Sequence, residues 1–367
     1  MKLTKLGTVG AIVAVGALAL AGCAANEGGT PAPTGDSSEA PAVTLSGTIA
    51  GSGASSQGSA QTAWITAFQT ANPGVTIEYD AAGSGAGREA FIGGGVAYAG
   101  TDSALNDDEI AGGFAGCVDD SFIQVPAFID PIAVVFNIEG VTELNLDAAT
   151  LAHIFKGDIT DWSDPAIAAL NDGWSVSGPI TAVHRSDDSG TTKNFADYLF
   201  QVAPDVWDAK PADPFPYTTG TGAAKTSGVI DAVTNGTNTI GYASASAAGD
   251  LATAKIKVGD EFVGFTPEAA AAVVAESPAA DNASETNLAI KIDRKTTDPT
   301  HYPLVLVSYI VACGEYADAE VAPVVKAYVS YITSEEGQAV AAETGAAPLS
   351  AEQIAAVQAV VDTIVAE

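Results

Sequence analysis

The stretch that decides the fold lies at residues 46–80 and reads SGTIAGSGASSQGSAQTAWITAFQTANPGVTIEYD. It opens with a short strand-like run at 46–51 and continues through a loop of glycine and serine. Apolar residues then recur at helical spacing from Ala60 to Phe68, and Pro73-Gly74 ends the helix. From Val75 to Tyr79 apolar residues alternate as in a strand. The order strand, loop, helix, strand predicts an α/β unit with a parallel sheet.

The same alternation continues towards the C-terminus. Unbroken apolar runs at 132–136 and 304–311 are typical of buried strands in a parallel sheet. Thr266 is a good N-cap, and Pro267 follows it at the first position of an alanine-rich helix. Residues 320–335 and 350–366 have the pattern of amphipathic helices. We therefore expect an α/β protein of two lobes, each a mainly parallel sheet flanked by helices.

The composition excludes several classes of protein. The chain has 367 residues, of which 47% are hydrophobic and 16% charged, so it is long enough for two domains and too apolar for a disordered chain. Lys and Arg number 14 against 45 Asp and Glu, a formal net charge of -31. A nucleic-acid-binding protein needs a basic face, so this class is excluded. The three cysteines are too few for a disulfide scaffold.

The N-terminus has the pattern of a targeting segment. Lys2 and Lys5 precede an uncharged run at 9–21, which is the length of a signal-peptide core. The run ends in Leu-Ala-Gly-Cys23, which resembles the lipobox of bacterial lipoproteins; the alternative is a plain secretory signal with an incidental cysteine. We expect residues 1–22 to be a removed signal peptide and 23–45 to be a lipidated cysteine with a flexible tether. A lipid on Cys23 would anchor the protein to the outer face of the cell membrane.

Four loops rich in glycine, serine and threonine carry the candidate chemistry. They are Gly51–Gly58, Gly83–Gly87, Gly100–Ser103 and Arg185–Thr192. Each places hydroxyls and free backbone N–H groups at or near a helix start, where the helix dipole favours an anion. The last loop adds a guanidinium, which suits a tetrahedral oxyanion. One such loop usually serves only as a cap or turn, but the four together indicate an oxyanion site, and none has the spacing of a nucleotide motif.

At these loops the sequence resembles the phosphate-binding subunit of the bacterial high-affinity phosphate ABC transporter, a type II solute-binding protein. The resemblance covers nearly all of 46–367 and includes an R-x-D-x-S-G-T block at 185–191 and a scaffold stretch at 151–165. It implies two lobes joined by crossing strands near 127–131 and 302–304. Lobe 1 would comprise residues 46–130 and 305–367, and lobe 2 residues 131–304. The protein would bind inorganic phosphate in the cleft, deliver it to a membrane permease and catalyse no reaction.

The resemblance also assigns residues to the ligand. The expected phosphate contacts are Ser55, Ser56, Ser84, Asp102, Arg185, Ser189, Gly190 and Thr191. Asp187 would hold the Arg185 guanidinium in place, and Ser56 would contribute its backbone N–H where the family often has an aromatic residue. Asp102 is explained if it accepts a hydrogen bond from P–O–H, which sulfate lacks at neutral pH. The alternative is that Asp102 only caps the turn at 103–109.

The remaining candidates are two cysteines and three histidines. Outside the cytoplasm Cys117 and Cys313 are expected to form a disulfide; the alternative is a pair of buried thiols. The sequence has no His/Cys cluster, so no metal or cofactor is expected, and the protein is expected to be a monomer.

Two other functions stay open. One is a secreted phosphatase or serine hydrolase, which no histidine in the sequence is placed to support. The other is a binding protein for another oxyanion such as sulfate or molybdate.

Overall fold

The computed structural model describes residues 45–366. The predicted signal peptide, Cys23 and residues 24–44 of the predicted tether lie outside the described residues. No helix within 45–366 combines the length and the apolar character needed to cross a membrane.

The described residues form an alternation of strands and helices. The strands are β1 (Ser46–Gly53), β2 (Gly74–Asp80), β3 (Tyr98–Thr101), β4 (Phe122–Asn137), β5 (Asn145–Leu146), β6 (Thr181–Arg185), β7 (Thr221–Ala223), β8 (Thr239–Ser244), β9 (Ala252–Thr253), β10 (Lys255–Val258), β11 (Glu261–Val263) and β12 (Val305–Cys313). The helices are α1 (Gly58–Ala71), α2 (Ser84–Ile92), α3 (Asp107–Ala111), α4 (Ala148–Lys156), α5 (Pro165–Ala168), α6 (Gly190–Val202), α7 (Lys225–Asn235), α8 (Pro267–Ala275), α9 (Ala322–Ile332), α10 (Glu335–Glu343) and α11 (Ala351–Val361). Thr266 caps α8 as predicted, accepting a hydrogen bond from the Ala269 amide.

The main sheet has the strand order β2-β1-β3-β12-β4-β8-β6-β7, with β9 paired to β4. Strand β1 is parallel to β2 and β3, and β6 is parallel to β7 and β8. The α/β prediction is confirmed. The two apolar runs expected to be parallel strands belong to β4 and β12, which pair antiparallel with each other. A strand buried on both faces is apolar throughout in either direction, so its composition did not reveal its orientation.

Strand β4 connects two hydrophobic cores. Its residues 122–131 pair with β12, and its residues 132–137 pair with β8. The first core surrounds Trp64 and Tyr328, and the second surrounds Phe155 and Trp162. The buried side chains of α8 pack into the first core, although 131–304 was expected to form lobe 2. The exact division into lobes therefore stays a prediction.

A disulfide joins Cys117 to Cys313, whose Cα atoms lie 5.3 Å apart. It links the segment between α3 and β4 to the end of β12, across 196 residues of sequence. The predicted pairing is confirmed, and the alternative of two buried thiols is wrong.

Candidate functional site

The parallel pairing of β1 with β3 brings three of the four loops together. Gly53 lies opposite Gly100 in the register, so both strands end at the same sheet edge. The Ala54 amide donates to the Gly100 carbonyl at 2.9 Å, and the Gly83 amide donates to the Gly53 carbonyl at 2.8 Å. The fourth loop follows β6 and meets them from the other half of the sheet, where the Gly85 amide donates to the Asp188 carbonyl at 3.2 Å. All four predicted loops therefore converge.

Two glycines allow this close approach. A Cβ atom on Gly190 would lie 2.7 Å from the Ser84 hydroxyl oxygen and 2.8 Å from the Cβ of Asp102. Gly83 has a φ of 117°, and a Cβ there would lie 2.8 Å from a carboxylate oxygen of Asp187. Any side chain at either position would push the loops apart.

Asp102 lies at the centre of the cluster and is 3% exposed. Its Oδ1 accepts from the Ser308 hydroxyl at 2.6 Å. Its Oδ2 accepts from Ser56 at 2.5 Å and from Thr191 at 3.3 Å. Burial raises the pKa of Asp102, while these hydroxyls and the charge of Arg185 act in the opposite direction.

The structure excludes the alternative of Asp102 as a helix cap. The N-cap of α3 is Asn106, whose side chain accepts from the Glu109 amide while Glu109 accepts from the Asn106 amide. The Asp102 backbone is held separately, because its amide donates to Ser84 at 3.1 Å and its carbonyl accepts from Asn194 at 2.7 Å.

Arg185 forms a two-point ion pair with Asp187. Arg185 is 3% exposed, and its Nε donates to Asp187 Oδ1 at 2.8 Å while its Nη2 donates to Oδ2. Asp187 also accepts from the Lys225 amide at 2.9 Å. Burial alone would raise the pKa of Asp187, but the bond and charge of Arg185 hold it below its usual value. The carboxylate therefore fixes the plane of the guanidinium, as expected from the sequence.

The N-terminus of α6 lies inside the cluster. The Ser189 hydroxyl accepts from the Thr192 amide at 3.2 Å and so caps the helix. The amides of Gly190 and Thr191 belong to the first turn, which has no carbonyl one turn earlier to accept from them. Ser189, Gly190 and Thr191 are all buried, so the positive end of the helix dipole lies away from bulk water.

Ser55 approaches the N-terminus of α7 rather than that of α6. Its hydroxyl lies 3.0 Å from the Thr226 hydroxyl and accepts from the Thr226 amide at 3.1 Å. Sequence reasoning missed Thr226 because Lys225-Thr226 lies outside the four loops rich in glycine, serine and threonine. Its place at the start of α7, like that of Thr191 at the start of α6, is the signal that could have found it.

Ser308 was also missed, because it lies inside the apolar run of β12 and no period marks it. The pair Arg88–Asp213 was missed for another reason, since its partners come from different halves of the chain. Arg88 donates to Asp213 at 2.5 Å and to Glu109 at 2.8 Å.

A cavity of about 410 Å³ borders the cluster and is lined by Asp102, Lys193, Asn194, Asp197, Arg294 and Tyr309, among others.

The histidines take no part in this cluster. The His184 ring stacks on Phe215 with centroids 4.0 Å apart. His153 pairs with Asp158, and His301 lies beside Thr296. Within residues 45–366 no group of His, Cys, Asp or Glu is placed to hold a metal.

Comparison with known proteins gives one family and one fold. The model of the PBP superfamily domain matches residues 38–336. Phosphate-binding protein PstS 3 of Mycobacterium tuberculosis H37Rv is 34% identical over 356 residues, which cover 95% of this chain and 96% of that protein. Phosphate-binding protein PstS 2 of the same strain is 31% identical over 341 residues, with 90% of each chain covered.

Two solved structures have the same fold. A high-affinity periplasmic phosphate-binding protein bound with phosphate superposes with a TM-score of 0.69 at 21% identity, covering 85% of this chain and 93% of that one. A putative phosphate ABC transporter substrate-binding protein from Clostridium perfringens, with bound phosphate, gives 0.61 at 22% identity and covers 83% and 100%.

Proposed function

The chain belongs to the phosphate-binding proteins of the PBP superfamily, and from this membership we propose that it binds inorganic phosphate outside the cytoplasm and delivers it to the permease of a phosphate ABC transporter. One observation carries the proposal: Arg185, locked by Asp187, and the N-terminus of α6 meet the acceptor Asp102 from the opposite half of the sheet. A tetrahedral anion with one remaining proton needs both kinds of group. The protein captures and releases its ligand without a chemical step.

The proposed contacts combine hydroxyls, amides and one charge. Hydroxyls would come from Ser55, Ser84, Ser189 and Thr191, and amides from Ser56, Gly190 and Thr191. Thr226 joins this set because its hydroxyl lies 3.0 Å from that of Ser55. Arg185 supplies the charge, and Asp102 accepts from P–O–H. The Ser56 hydroxyl donates to Asp102, so the proposed contact of Ser56 with the ligand is its backbone amide.

Two lobes closing over the ligand account for the two cores. The first lobe comprises 46–130 with 305–367, and the second 131–304, except that α8, which lies within the second range, belongs to the first lobe because its buried face packs into that core. Contacts between the proposed lobes include Arg88–Asp213 and Asn194 with the Asp102 carbonyl. These bonds would form on closure and break on release.

The proposal includes a lipid anchor on Cys23 and a monomeric protein. The sequence Leu-Ala-Gly-Cys23 after an uncharged run supports the anchor. Cys23→Ala should leave the protein unlipidated and released into the medium, as measured by intact mass and cell fractionation. Continued membrane association with an unchanged mass would overturn this part.

Calorimetric titration of the secreted chain with phosphate, sulfate and molybdate tests the ligand. We expect tight binding of phosphate and much weaker binding of the other two. A parallel assay with a phosphate ester should release no phosphate. Equal affinity for sulfate or turnover of the ester would overturn the proposal.

A further inference from the structure

We infer that a buried relay of hydrogen bonds through Gln61, Gln57 and Ser308 determines which oxygen of Asp102 faces the anion, so that Gln57 and Ser308 are positioning residues for anion selectivity. The inference rests on the proposed phosphate site and adds two residues: Gln57, which lies in the first loop but was assigned no contact there, and Ser308, which lies in the apolar run of β12. None of the three relay residues is itself expected to touch the ligand.

The relay is continuous from α1 to β12. Gln61 Nε2 donates to Gln57 Oε1 at 2.9 Å, and Gln57 Nε2 donates to the Ser308 hydroxyl oxygen at 2.8 Å. Ser308 then donates to Asp102 Oδ1 at 2.6 Å. Gln57, Gln61 and Ser308 are at most 1% exposed. Buried amides are costly unless their hydrogen bonds are made, and here each step makes one.

The direction of the relay is fixed at the Tyr309 carbonyl. This carbonyl can only accept, and it lies 2.9 Å from Gln57 Nε2, so the amide nitrogen must face β12. Gln57 Oε1 therefore faces Gln61, whose own oxygen accepts from the hydroxyls of Tyr98 and Tyr328 at 3.1 and 2.9 Å. Ser308 receives an N–H and has one proton left, which it must give to Asp102.

The two oxygens of Asp102 consequently have different roles. Oδ1 is occupied by a hydroxyl that cannot turn away without losing the relay. Oδ2 is bound by Ser56 and Thr191, which are both on loops of the proposed anion site and are not part of the relay. Oδ2 is therefore the oxygen that accepts from P–O–H.

The relay also opposes the effect of burial on Asp102. Burial raises the pKa of Asp102, and the Ser308 bond is the strongest influence that lowers it. The other ionisable groups around this carboxyl are Arg185 on β6, Asp130 on β4 and the Tyr79 phenol on β2, with Lys193, Asp197 and Arg294 across the cavity. Without the relay Asp102 takes up a proton at higher pH. A protonated Asp102 can donate a hydrogen bond, and an oxygen of sulfate can accept it as readily as an oxygen of phosphate.

The test is calorimetric titration with inorganic phosphate and sodium sulfate from pH 5.5 to 8.5, using the full secreted chain. Ser308→Ala and Gln57→Met should each reduce the phosphate-to-sulfate affinity ratio by about tenfold near neutral pH. Both should move the pH at which sulfate binding appears to a higher value. Ser308→Thr restores the hydroxyl and should restore the ratio and the pH profile.

Ser52→Ala is the matched control, because Ser52 is a buried serine of β1 in the same sheet whose hydroxyl donates only to the Asp80 carbonyl. It should leave both readouts unchanged. If Ser308→Ala fails to fold, as judged by circular dichroism, Gln57→Met decides the question, since methionine retains the volume. If the wild-type protein binds phosphate but the relay variants keep the same phosphate-to-sulfate affinity ratio and the same pH profile, the relay is wrong and the proposed function stands. A wild-type protein without phosphate affinity would overturn the proposed function as well.

Discussion

Two aspartates of the central sheet are almost fully buried and have opposite surroundings. Asp102 directly follows β3 and accepts hydrogen bonds from Ser56, Thr191 and Ser308. Asp130 lies within β4, opposite Leu306 of β12, and neither of its oxygens has a hydrogen-bond partner among the described residues. The Ser244 hydroxyl and the Ala245 amide lie near enough to lower its pKa somewhat, but burial dominates and raises the pKa to about 8.

The difference shows that burial does not by itself identify a binding carboxylate. Both groups lose water, and this disfavours their charged forms. Asp102 accepts hydrogen bonds from three hydroxyls and lies near a cation, Arg185, whereas the Ser244 hydroxyl and the Ala245 amide make no hydrogen bond to Asp130 and offset its burial only slightly. Asp130 is instead best described as a neutral acid over most of the physiological pH range, placed where β4 leaves β12 and joins β8.

The largest expected effect on phosphate affinity is that of Arg185→Ala, because Arg185 lies near Asp102 and has no counterpart near Asp130. A buried charge-assisted hydrogen bond contributes about 1.5–3 kcal/mol, so phosphate affinity should fall at least about tenfold to a hundredfold. The variant also leaves Asp187 unpaired, so folding must be checked by circular dichroism. Asp130→Asn is the control, since its site has no cation and its affinity should stay unchanged. A folded Arg185→Ala protein with wild-type affinity would remove Arg185 from the site.

A smaller effect is expected from Asp102→Asn. An amide can donate as well as accept, so sulfate should gain relative to phosphate, and the affinity ratio should fall by about tenfold. Titration of the variant with both anions measures this. Asp130→Asn provides the comparison, and it should preserve the ratio. An unchanged ratio in Asp102→Asn would mean that Asp102 does not select the ligand.

Asp130→Asn should instead change stability, in a way that depends on pH. The folded pKa of about 8 lies above the unfolded value near 3.9, so the folded state holds a proton that the unfolded state has released. This contribution is complete below about pH 4 and is lost as the pH rises through about 8. The Tm of the variant should therefore differ little from that of the wild-type protein at pH 5 and should be about 2–6 °C higher at pH 8. Thermal melts at both values measure the difference, and an equal shift at both would contradict it.

The sequence predicted most of the site because its residues sit in local motifs. Arg185, Asp187 and the N-terminus of α6 share one loop. The other three loops follow the parallel strands β1, β2 and β3, which end at one edge, and β6 runs the opposite way and brings its loop to them from the other half of the sheet. The relay and Asp130 could not be predicted this way. Ser308 reaches Asp102 across 206 residues, and only the register of β12 against its neighbours places it there. The antiparallel orientation of β4 and β12 was also missed, because an apolar run does not indicate the direction of its strand.

The smallest expected effect comes from Ser244→Ala, which matches Ser308→Ala at the other aspartate. The Ser244 hydroxyl lies 2.7 Å from that of Ser246 and makes no hydrogen bond to Asp130. Its removal should raise the pKa of Asp130 slightly and change the free energy of unfolding by less than about 1 kcal/mol. The phosphate-to-sulfate ratio should not change. Chemical denaturation at pH 6 and pH 8 with both titrations tests this. A loss above about 2 kcal/mol at pH 8 would show that Ser244 donates to Asp130 as Ser308 does to Asp102, and the contrast between the two carboxyls would then lie in their position alone.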